Sequence, residues 1–380
     1  MNRLRTAFLV LALTPAALAH HAGSVEARPD RWAATSALPT DTTFAATIER
    51  LSEPGGYFDS DNLISNEASY LHVLGQMRAL GVRGGAYVGV GPDQNFSYIA
   101  AVRPSVAYII DIRRDNLLHH LLYKALFAES RSRLEYLALL TARPMPDEAT
   151  VESYLSHDID AHVAYIDGRA RSEETFNTSN DRLIRRARAF GLGLSEGDVE
   201  TMRRIHRAFA DAGLDLRFRS FGRGPRPYYP TLRQLLIETD REGNASNYLA
   251  DASSFEFVKQ LQAANRVIPV VGDLSGNHAL RAIGQDMAAR GAMLSAFYTS
   301  NVEYYLMADG TFRRYVENLR TLPSDGRSVV IRSYFSRGYP HPQSLPGYYS
   351  TQLLQTVDLM LGEYEAGRIG TYFDLVNTGV

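Results

Sequence analysis

Residues 86–95 of this 380-residue chain read AYVGVGPDQN, and this stretch decides the fold class. A short apolar run of β type is closed by two glycines, and a helix is predicted directly after it, from Phe96 to about Val102. A second apolar run, VAYIID, follows at residues 106–111. The order strand, helix, strand predicts a βαβ unit, and such unbroken apolar strands are typical of a parallel sheet covered on both faces.

The late part of the chain repeats this alternation. It holds three more β-type runs, at 267–273, 293–298 and 328–331, and two helical segments between them, at 279–290 and 304–319. The long stretch before these runs is mainly helical in its leucine spacing. The pattern predicts an α/β fold, a doubly wound, mainly parallel, Rossmann-like sheet with a helical insertion after strand two. The predicted units are a core of 44–125 plus 266–336, an insertion of 126–265 and a C-terminal helical extension of 337–380.

The first 19 residues have the features of a secretory signal peptide. Arg3 and Arg5 precede an apolar stretch, and Ala17-Leu18-Ala19 forms a small-residue cleavage site. A membrane anchor is less favoured, because Pro15 interrupts an apolar run that is already short for a span. We therefore expect a periplasmic or secreted protein with a linker at 20–43, or a cytoplasmic one if the leader is not used.

Composition excludes several classes of chemistry. The chain has no Cys, which removes disulfides, thiolate catalysis and iron–sulfur ligation. Lysine occurs only at Lys124 and Lys259, and no phosphate-binding G-x-x-x-x-G-K-[ST] motif is present. A formal net charge of -2 argues against a dedicated nucleic-acid binder. We expect no transmembrane span after leader cleavage and no metal site.

The glycine loop is the sharpest motif. Gly89 and Gly91 lie between a strand and a helix, and Asp111 ends the next strand. Glycines let a ligand approach the backbone, and a carboxylate at the second strand tip accepts hydrogen bonds from ribose hydroxyls. Gln94 stands where a dinucleotide fingerprint has its third glycine, so a nucleoside fits better than NAD. The alternative is a tight turn with Asp111 as a helix cap.

These residues resemble class I S-adenosylmethionine-dependent methyltransferases. Three longer segments, at 52–71, 87–104 and 270–284, look like a family of bacterial uncharacterised proteins with that type of core. The resemblance implies S-adenosylmethionine or a related nucleoside as the ligand, with an unknown methyl acceptor. It implies ligand-binding roles for six residues: Gly89, Gly91, Gln94, Asn95, Asp111 and Asp273.

The resemblance also places the transferred methyl group near the fourth strand tip, residues 298–301. Candidate catalytic residues are Glu67, Tyr298 and Asn301. Turn formation and helix capping explain Asn66, Glu67 and Asn301 equally well. The alternative function is a non-catalytic exported protein that binds a ligand or partner on the same fold, since the methyl donor is made in the cytosol.

Two further patterns leave alternatives open. Residues 157–162, HDIDAH, offer carboxylates and imidazoles at metal-ligand spacing, but a solvated polar turn is favoured. Eleven arginines and five acidic residues lie between Arg182 and Arg226. This segment is either a solvated helical face, which we favour, or a patch for an anionic substrate or a membrane surface.

Overall fold

A six-stranded sheet forms the centre of the structure, and five of its strands follow the apolar runs of the sequence. The strands are β1 (Ala86–Gly89), β2 (Val106–Asp111), β3 (Val267–Val271), β4 (Leu294–Ser300), β5 (Val329–Phe335) and β6 (Ser350–Thr356). Their order is β3-β2-β1-β4-β5-β6, and only the β5–β6 pair is antiparallel. The predicted mixed α/β class with a mainly parallel sheet is confirmed, and the order is compatible with a Rossmann-like fold.

The computed structural model describes residues 44–224, 226–336 and 339–378. The predicted signal peptide at 1–19 and linker at 20–43 lie outside these residues. The helices, in chain order, are α1 (Phe44–Leu51), α2 (Leu74–Ala79), α3 (Gln94–Val102), α4 (Arg114–Glu129), α5 (Arg133–Leu140), α6 (Glu148–Tyr154), α7 (Ile159–Asp167), α8 (Glu173–Arg188), α9 (Glu196–Ala212), α10 (Leu232–Ile237), α11 (Ala252–Ala263), α12 (Ala279–Ala289), α13 (Val302–Ala308), α14 (Phe312–Leu319), α15 (Val357–Glu365) and α16 (Tyr372–Asn377).

The apolar strands are buried because helices pack against the sheet: α1 and α4 contact β3, α4 and α12 contact β2, and α3 contacts β1. Every residue of β1 and β3 is buried, as is β2 up to its last residue, Asp111. β3 is an edge strand that pairs only with β2, and this explains how it tolerates Pro269, which has no N–H to donate to a neighbouring strand. Because both faces of these strands are buried, their sequences lack the alternation of polar and apolar residues that a half-exposed strand shows.

The C-terminal segment corrects one prediction. The sequence predicts helix throughout 337–380, but Ser350–Thr356 forms strand β6 before α15 and α16. β6 reads STQLLQT and buries Gln352 and Gln355. Its polar residues find partners from distant segments, so the strand lacks the apolar pattern by which the others were recognised.

The prediction of one continuous helix at 304–319 is also wrong. Two helices, α13 and α14, occupy this region. Gly310 between them has φ +67, a left-handed conformation that glycine adopts easily and that ends a right-handed helix.

Residues 126–265 are mainly helical, but helix α4 continues across the predicted start of the insertion without a break. α8 and α9 pack against α4, and α11 packs against both α3 and α4. Phe209 of α9 and Phe255 of α11 belong to the same hydrophobic cluster as Ile109 of β2. The insertion and the sheet therefore share one continuous core. Within the described ranges, no helix is long and apolar enough to cross a membrane.

Candidate functional site

The strand order reverses between β1 and β4, which are neighbours in the sheet. In doubly wound sheets, ligands bind in the crevice outside the carboxyl ends of the strands at this point. The loop that follows β1 contacts β4 here, with the Val90 N–H donating to the Tyr298 carbonyl at 3.0 Å. The residues predicted from sequence lie along this edge.

The glycine loop is held in shape by Asn95. The Asn95 amide nitrogen donates to the carbonyls of Val90 (2.9 Å) and Pro92 (2.7 Å), and its oxygen accepts from the Tyr87 hydroxyl at 2.7 Å. Gly91 has φ +81, which favours glycine. Asn95 thus supports the loop from inside, and all its polar atoms are engaged there.

Replacing Gly89 by Ala is expected to lower the free energy of unfolding by about 3 kcal/mol, the sum of overpacking and lost buried hydrogen bonds. A Cβ at Gly89 would lie 2.0 Å from Asn95 Oδ1, so the Asn95 side chain must leave its carbonyl partners. Urea unfolding measures the change. The matched control is Gly362→Ala, where a Cβ meets nothing within 4 Å and helix α15 should gain up to about 1 kcal/mol. Equal stabilities of the two variants would contradict this account.

Glu67 and Tyr298, two of the three catalytic candidates, are in direct contact. The Tyr298 hydroxyl donates to Glu67 Oε2 at 2.7 Å and accepts from Gln94 Nε2 at 3.1 Å. Glu67 also accepts from Gln352 Nε2 at 2.7 Å and from the Ser300 hydroxyl. Glu67 is 1% exposed and Tyr298 is fully buried. We call these five residues the Glu67 cluster.

Asn301, the third candidate, lies beside this cluster without a close bond to it. It precedes α13 and makes no side-chain cap, and its oxygen is 3.5 Å from the Ser300 hydroxyl. Sequence reasoning missed Gln352 because β6 was predicted as helix. Burial raises the pKa of the Tyr298 phenol well above its ordinary value, so the hydroxyl keeps its proton.

Asp111 is engaged by an arginine that sequence reasoning did not single out. Arg113 Nε donates to Asp111 Oδ1 at 3.0 Å and Nη2 to Oδ2 at 2.8 Å. Arg113 Nη1 also donates to the carbonyls of Ser60 (3.0 Å) and Asp61 (3.3 Å). The carboxylate predicted to accept from a ribose therefore anchors Arg113, which in turn holds an earlier segment across the end of β2.

That segment, residues 52–63, is called the strap below. Its Glu53 N–H donates to the Val271 carbonyl at the end of β3 (2.9 Å), and its Gly56 N–H donates to the Ile112 carbonyl just after β2 (2.7 Å). The strap thus crosses the carboxyl ends of two strands.

Asp273, one of the six residues with an implied ligand-binding role, forms a turn. Its Oδ1 accepts from the Ser275 N–H (2.8 Å) and hydroxyl (3.0 Å). Glu53 Oε1 accepts the Asp273 N–H at 2.8 Å, and Glu53 Oε2 accepts from His278 and Ala279 at the start of α12. A strap carboxylate therefore occupies the helix N-terminus beside Asp273.

A cavity of about 430 Å³ opens between the strap, the start of α4 and α9. We call it the carboxyl-edge cavity. This volume is within the range of small-molecule sites. Its lining residues are Gly55, Gly56, Tyr57, Phe58, Ser60, Asp61, Asn62, Leu63, Arg113, Arg114, Asp115, Asn116, His119, Arg204, Ile205 and Phe221.

Three buried side chains of this lining have polar atoms without a hydrogen-bond partner in the described part of the chain. They are Ser60 Oγ, both amide atoms of Asn116, and His119 Nε2. The three residues are only 3%, 3% and 2% exposed. Buried polar atoms in native proteins are nearly always paired with protein, water or a ligand. Three of the side chains that line this one cavity thus carry unpartnered polar atoms.

The cavity is electrically balanced. Arg113 pairs with Asp111, Arg114 with Asp198 at 2.8 Å, and Arg204 with Asp115 at 2.8 Å. The Arg114 guanidinium lowers the pKa of Asp198 to about 2. Burial lowers the pKa of His119 well below its ordinary value, so its imidazole is neutral. Each of the three lining arginines is therefore paired with an acidic residue.

The signal for these cavity residues was present in the sequence. Asn116 and His119 lie three residues apart on α4, so they share a face of a helix that is otherwise rich in leucine. Both follow directly after Asp111, at the tip of the second strand. The missing information was which polar side chains have partners, and only the tertiary structure supplies it.

The remaining sequence patterns have structural roles. Asp158 caps α7 by accepting the Ala161 N–H at 2.9 Å, and His162 Nδ1 contacts the Asp158 carbonyl at 2.7 Å. Within the described residues no three His, Asp or Glu side chains group around a potential metal position. On α8 and α9, Arg182, Arg203 and Arg207 form ion pairs with acidic residues, which agrees with a solvated helical face.

A family model described as a domain of unknown function, DUF7790, matches residues 63–363. The match includes the glycine loop, Asp111, Asn116 and His119, and begins at the end of the strap. No protein with curated annotation matches the sequence.

Proposed function

This chain belongs to the DUF7790 family, and we propose that it binds a nucleoside-class ligand, S-adenosylmethionine or a related compound, in the carboxyl-edge cavity. One observation carries the proposal: Ser60, Asn116 and His119, which hold buried polar atoms without a partner among the described residues, all line one cavity at the end of β2. Each such atom costs free energy while it is unpaired, and a polar ligand removes that cost. The core is then a Rossmann-like one of the methyltransferase type.

The donor set fits the nucleoside part of S-adenosylmethionine. Ser60 offers a hydroxyl, Asn116 an amide and His119 an imidazole nitrogen. Tyr57 and Phe221 add aromatic faces at the cavity, at 76% and 51% exposure. When bound, S-adenosylmethionine would supply an activated methyl group. Asp111 contributes indirectly, by holding Arg113 and through it the strap.

A non-catalytic binding protein is the second candidate. The observation that favours it is the enclosure of the Glu67 cluster. The Glu67 carboxylate already accepts three hydrogen bonds, and neither Glu67 nor Tyr298 lines the carboxyl-edge cavity. A base or acid needs a path to the reacting group, so ligand binding has more support than methyl transfer.

Saturating S-adenosylhomocysteine, at ~100 times its dissociation constant, is expected to raise the free energy of unfolding by about 2.7 kcal/mol. Thermal unfolding with S-adenosylmethionine, S-adenosylhomocysteine and adenosine measures the effect. Ser60→Leu places an apolar side chain in the cavity and should weaken binding at least tenfold. The control is Ser153→Leu on the exposed surface of α6, which should bind normally.

Absence of a shift with all three compounds would overturn the proposal, as would normal binding by Ser60→Leu. Transfer of a labelled methyl group to components of a lysate distinguishes the two candidates. Binding with transfer supports the methyltransferase, and binding without transfer supports the second candidate.

A further inference from the structure

Asn116 is the least satisfied buried amide on the carboxyl edge. Both its nitrogen and its oxygen lack a partner among the described residues, although the residue is only 3% exposed. Other buried asparagines differ: Asn318 donates to the Leu274 and Gly276 carbonyls and accepts from Arg281. An amide left open on both sides is therefore unusual in this protein.

We infer that Asn116 recognises the base of the ligand by pairing with a donor and an acceptor that lie side by side, as on the amino edge of adenine. This rests on the proposed function and names its base class. A carboxamide presents one donor and one acceptor in a plane, and asparagine pairs in this bidentate way with the N6 and N7 atoms of adenine. A carboxylate only accepts hydrogen bonds, so it cannot satisfy both open atoms of Asn116.

His119 supports the same class of ligand. It lies one helical turn after Asn116 on α4, and its Nε2 has no partner in the described structure. Its ring stacks on Tyr123, with ring centroids 4.2 Å apart, so its orientation is fixed. A neutral imidazole donates or accepts according to tautomer, which provides a second contact to a heterocycle or a hydroxyl.

The rest of the lining agrees with an uncharged flat base. Tyr57 and Phe221 present exposed aromatic rings at the cavity, and aromatic side chains stack on any nucleobase. Each lining arginine already has an acidic partner, so no unpaired cation marks a phosphate position. The aromatic rings fit the flat shape of a base, and the amide of Asn116 discriminates between bases.

The test compares adenosine with purine riboside, which lacks the 6-amino group and so keeps the acceptors but loses the donor. Isothermal titration of the wild type should give adenosine a preference of roughly 5- to 150-fold, the range of one bidentate pair. Asn116→Leu should bind both compounds weakly and equally. Asn116→Asp, which keeps an acceptor and loses the donor, should bind adenosine less tightly than the wild type. Circular dichroism and thermal unfolding check that both variants are folded.

Equal affinity of the wild type for adenosine and purine riboside would overturn the inference. So would an adenosine preference that persists in Asn116→Leu. In both cases a nucleoside still binds, so the proposed function stands and only the role of Asn116 fails. If neither nucleoside, nor S-adenosylhomocysteine, binds to the wild type, both proposals fail together.

Discussion

Acidification from pH 8 to pH 5 is expected to lower the free energy of unfolding by about 3 kcal/mol, a large part of the ~5–15 kcal/mol typical of a folded protein. The cause is a group of histidines buried in neutral form. Burial lowers the pKa of His120, His162 and His206 to about 4, and that of His119 well below its ordinary value. These four side chains are at most 2% exposed.

The sign follows from proton uptake. An unfolded histidine has a pKa near 6.5, so between pH 6.5 and pH 4 the unfolded chain binds more protons than the folded one. Stability is therefore present above pH 6.5 and is lost as pH falls through this window. At pH 5 each of His120, His162 and His206 costs about 2 kcal/mol, or about 6 kcal/mol together, and His119 acts in the same direction.

Asp93 opposes this trend. Burial raises its pKa to about 7, from 3.8, so the folded state holds a proton that the unfolded state releases. Asp93 therefore destabilises the fold at pH 8, and acidification to pH 5 recovers about 3 kcal/mol of that cost. The four histidines outweigh one carboxyl, and the net effect is a loss.

Urea unfolding at pH 8, 6.5 and 5 measures the balance, and two variants separate its parts. His206→Gln keeps a donor for the Leu139 carbonyl and removes one titrating group, so its loss on acidification should be smaller by about 2 kcal/mol. Asp93→Asn removes the opposing group, so its loss should be larger by about 3 kcal/mol. A wild type that gains stability on acidification, or variants with the wild-type pH dependence, would refute the account.

Glu303→Gln is expected to lower the free energy of unfolding by about 3–5 kcal/mol, because it leaves a buried arginine without its counter-charge. Glu303 is fully buried and Arg332 is 1% exposed. Arg332 Nε donates to Glu303 Oε2 at 2.6 Å and Nη2 to Oε1 at 3.1 Å, while Nη1 donates to Gln355 Oε1 at 2.6 Å. The pair joins β5, α13 and β6.

The double variant Glu303→Leu with Arg332→Met should recover most of this loss, since buried ion pairs are often replaceable by apolar residues of similar volume. The control is the exposed pair Arg313–Glu317 on α14, with a 2.9 Å contact. Glu317→Gln should change the free energy of unfolding by less than about 1 kcal/mol. Equal effects of Glu303→Gln and Glu317→Gln in denaturant unfolding would contradict the expectation.

The sequence predicted those parts of the fold that depend on local pattern. The five parallel strands are runs of apolar residues, and burial on both faces requires such runs whatever the rest of the chain does. The glycine loop was predicted correctly between β1 and α3, because glycines at a strand end mark a turn. Glu67 and Tyr298, chosen from the two flanking segments, do meet at the carboxyl edge.

Only the tertiary structure decided which polar groups are paired. Nothing in the sequence indicates that Asp111 has a partner, but the Arg113 side chain pairs with it. Strand β6 was not predicted because two of its buried residues are polar. Gln352 bonds to Glu67, and Gln355 bonds to Arg332. Asn116 and His119 became candidates only when their neighbours were known, because the Asn116 amide atoms and His119 Nε2 lack a partner among the described residues. The physical reason is that burial of a strand or helix requires a local pattern of apolar residues, which the sequence shows directly. A hydrogen bond, in contrast, joins residues that can be hundreds of positions apart.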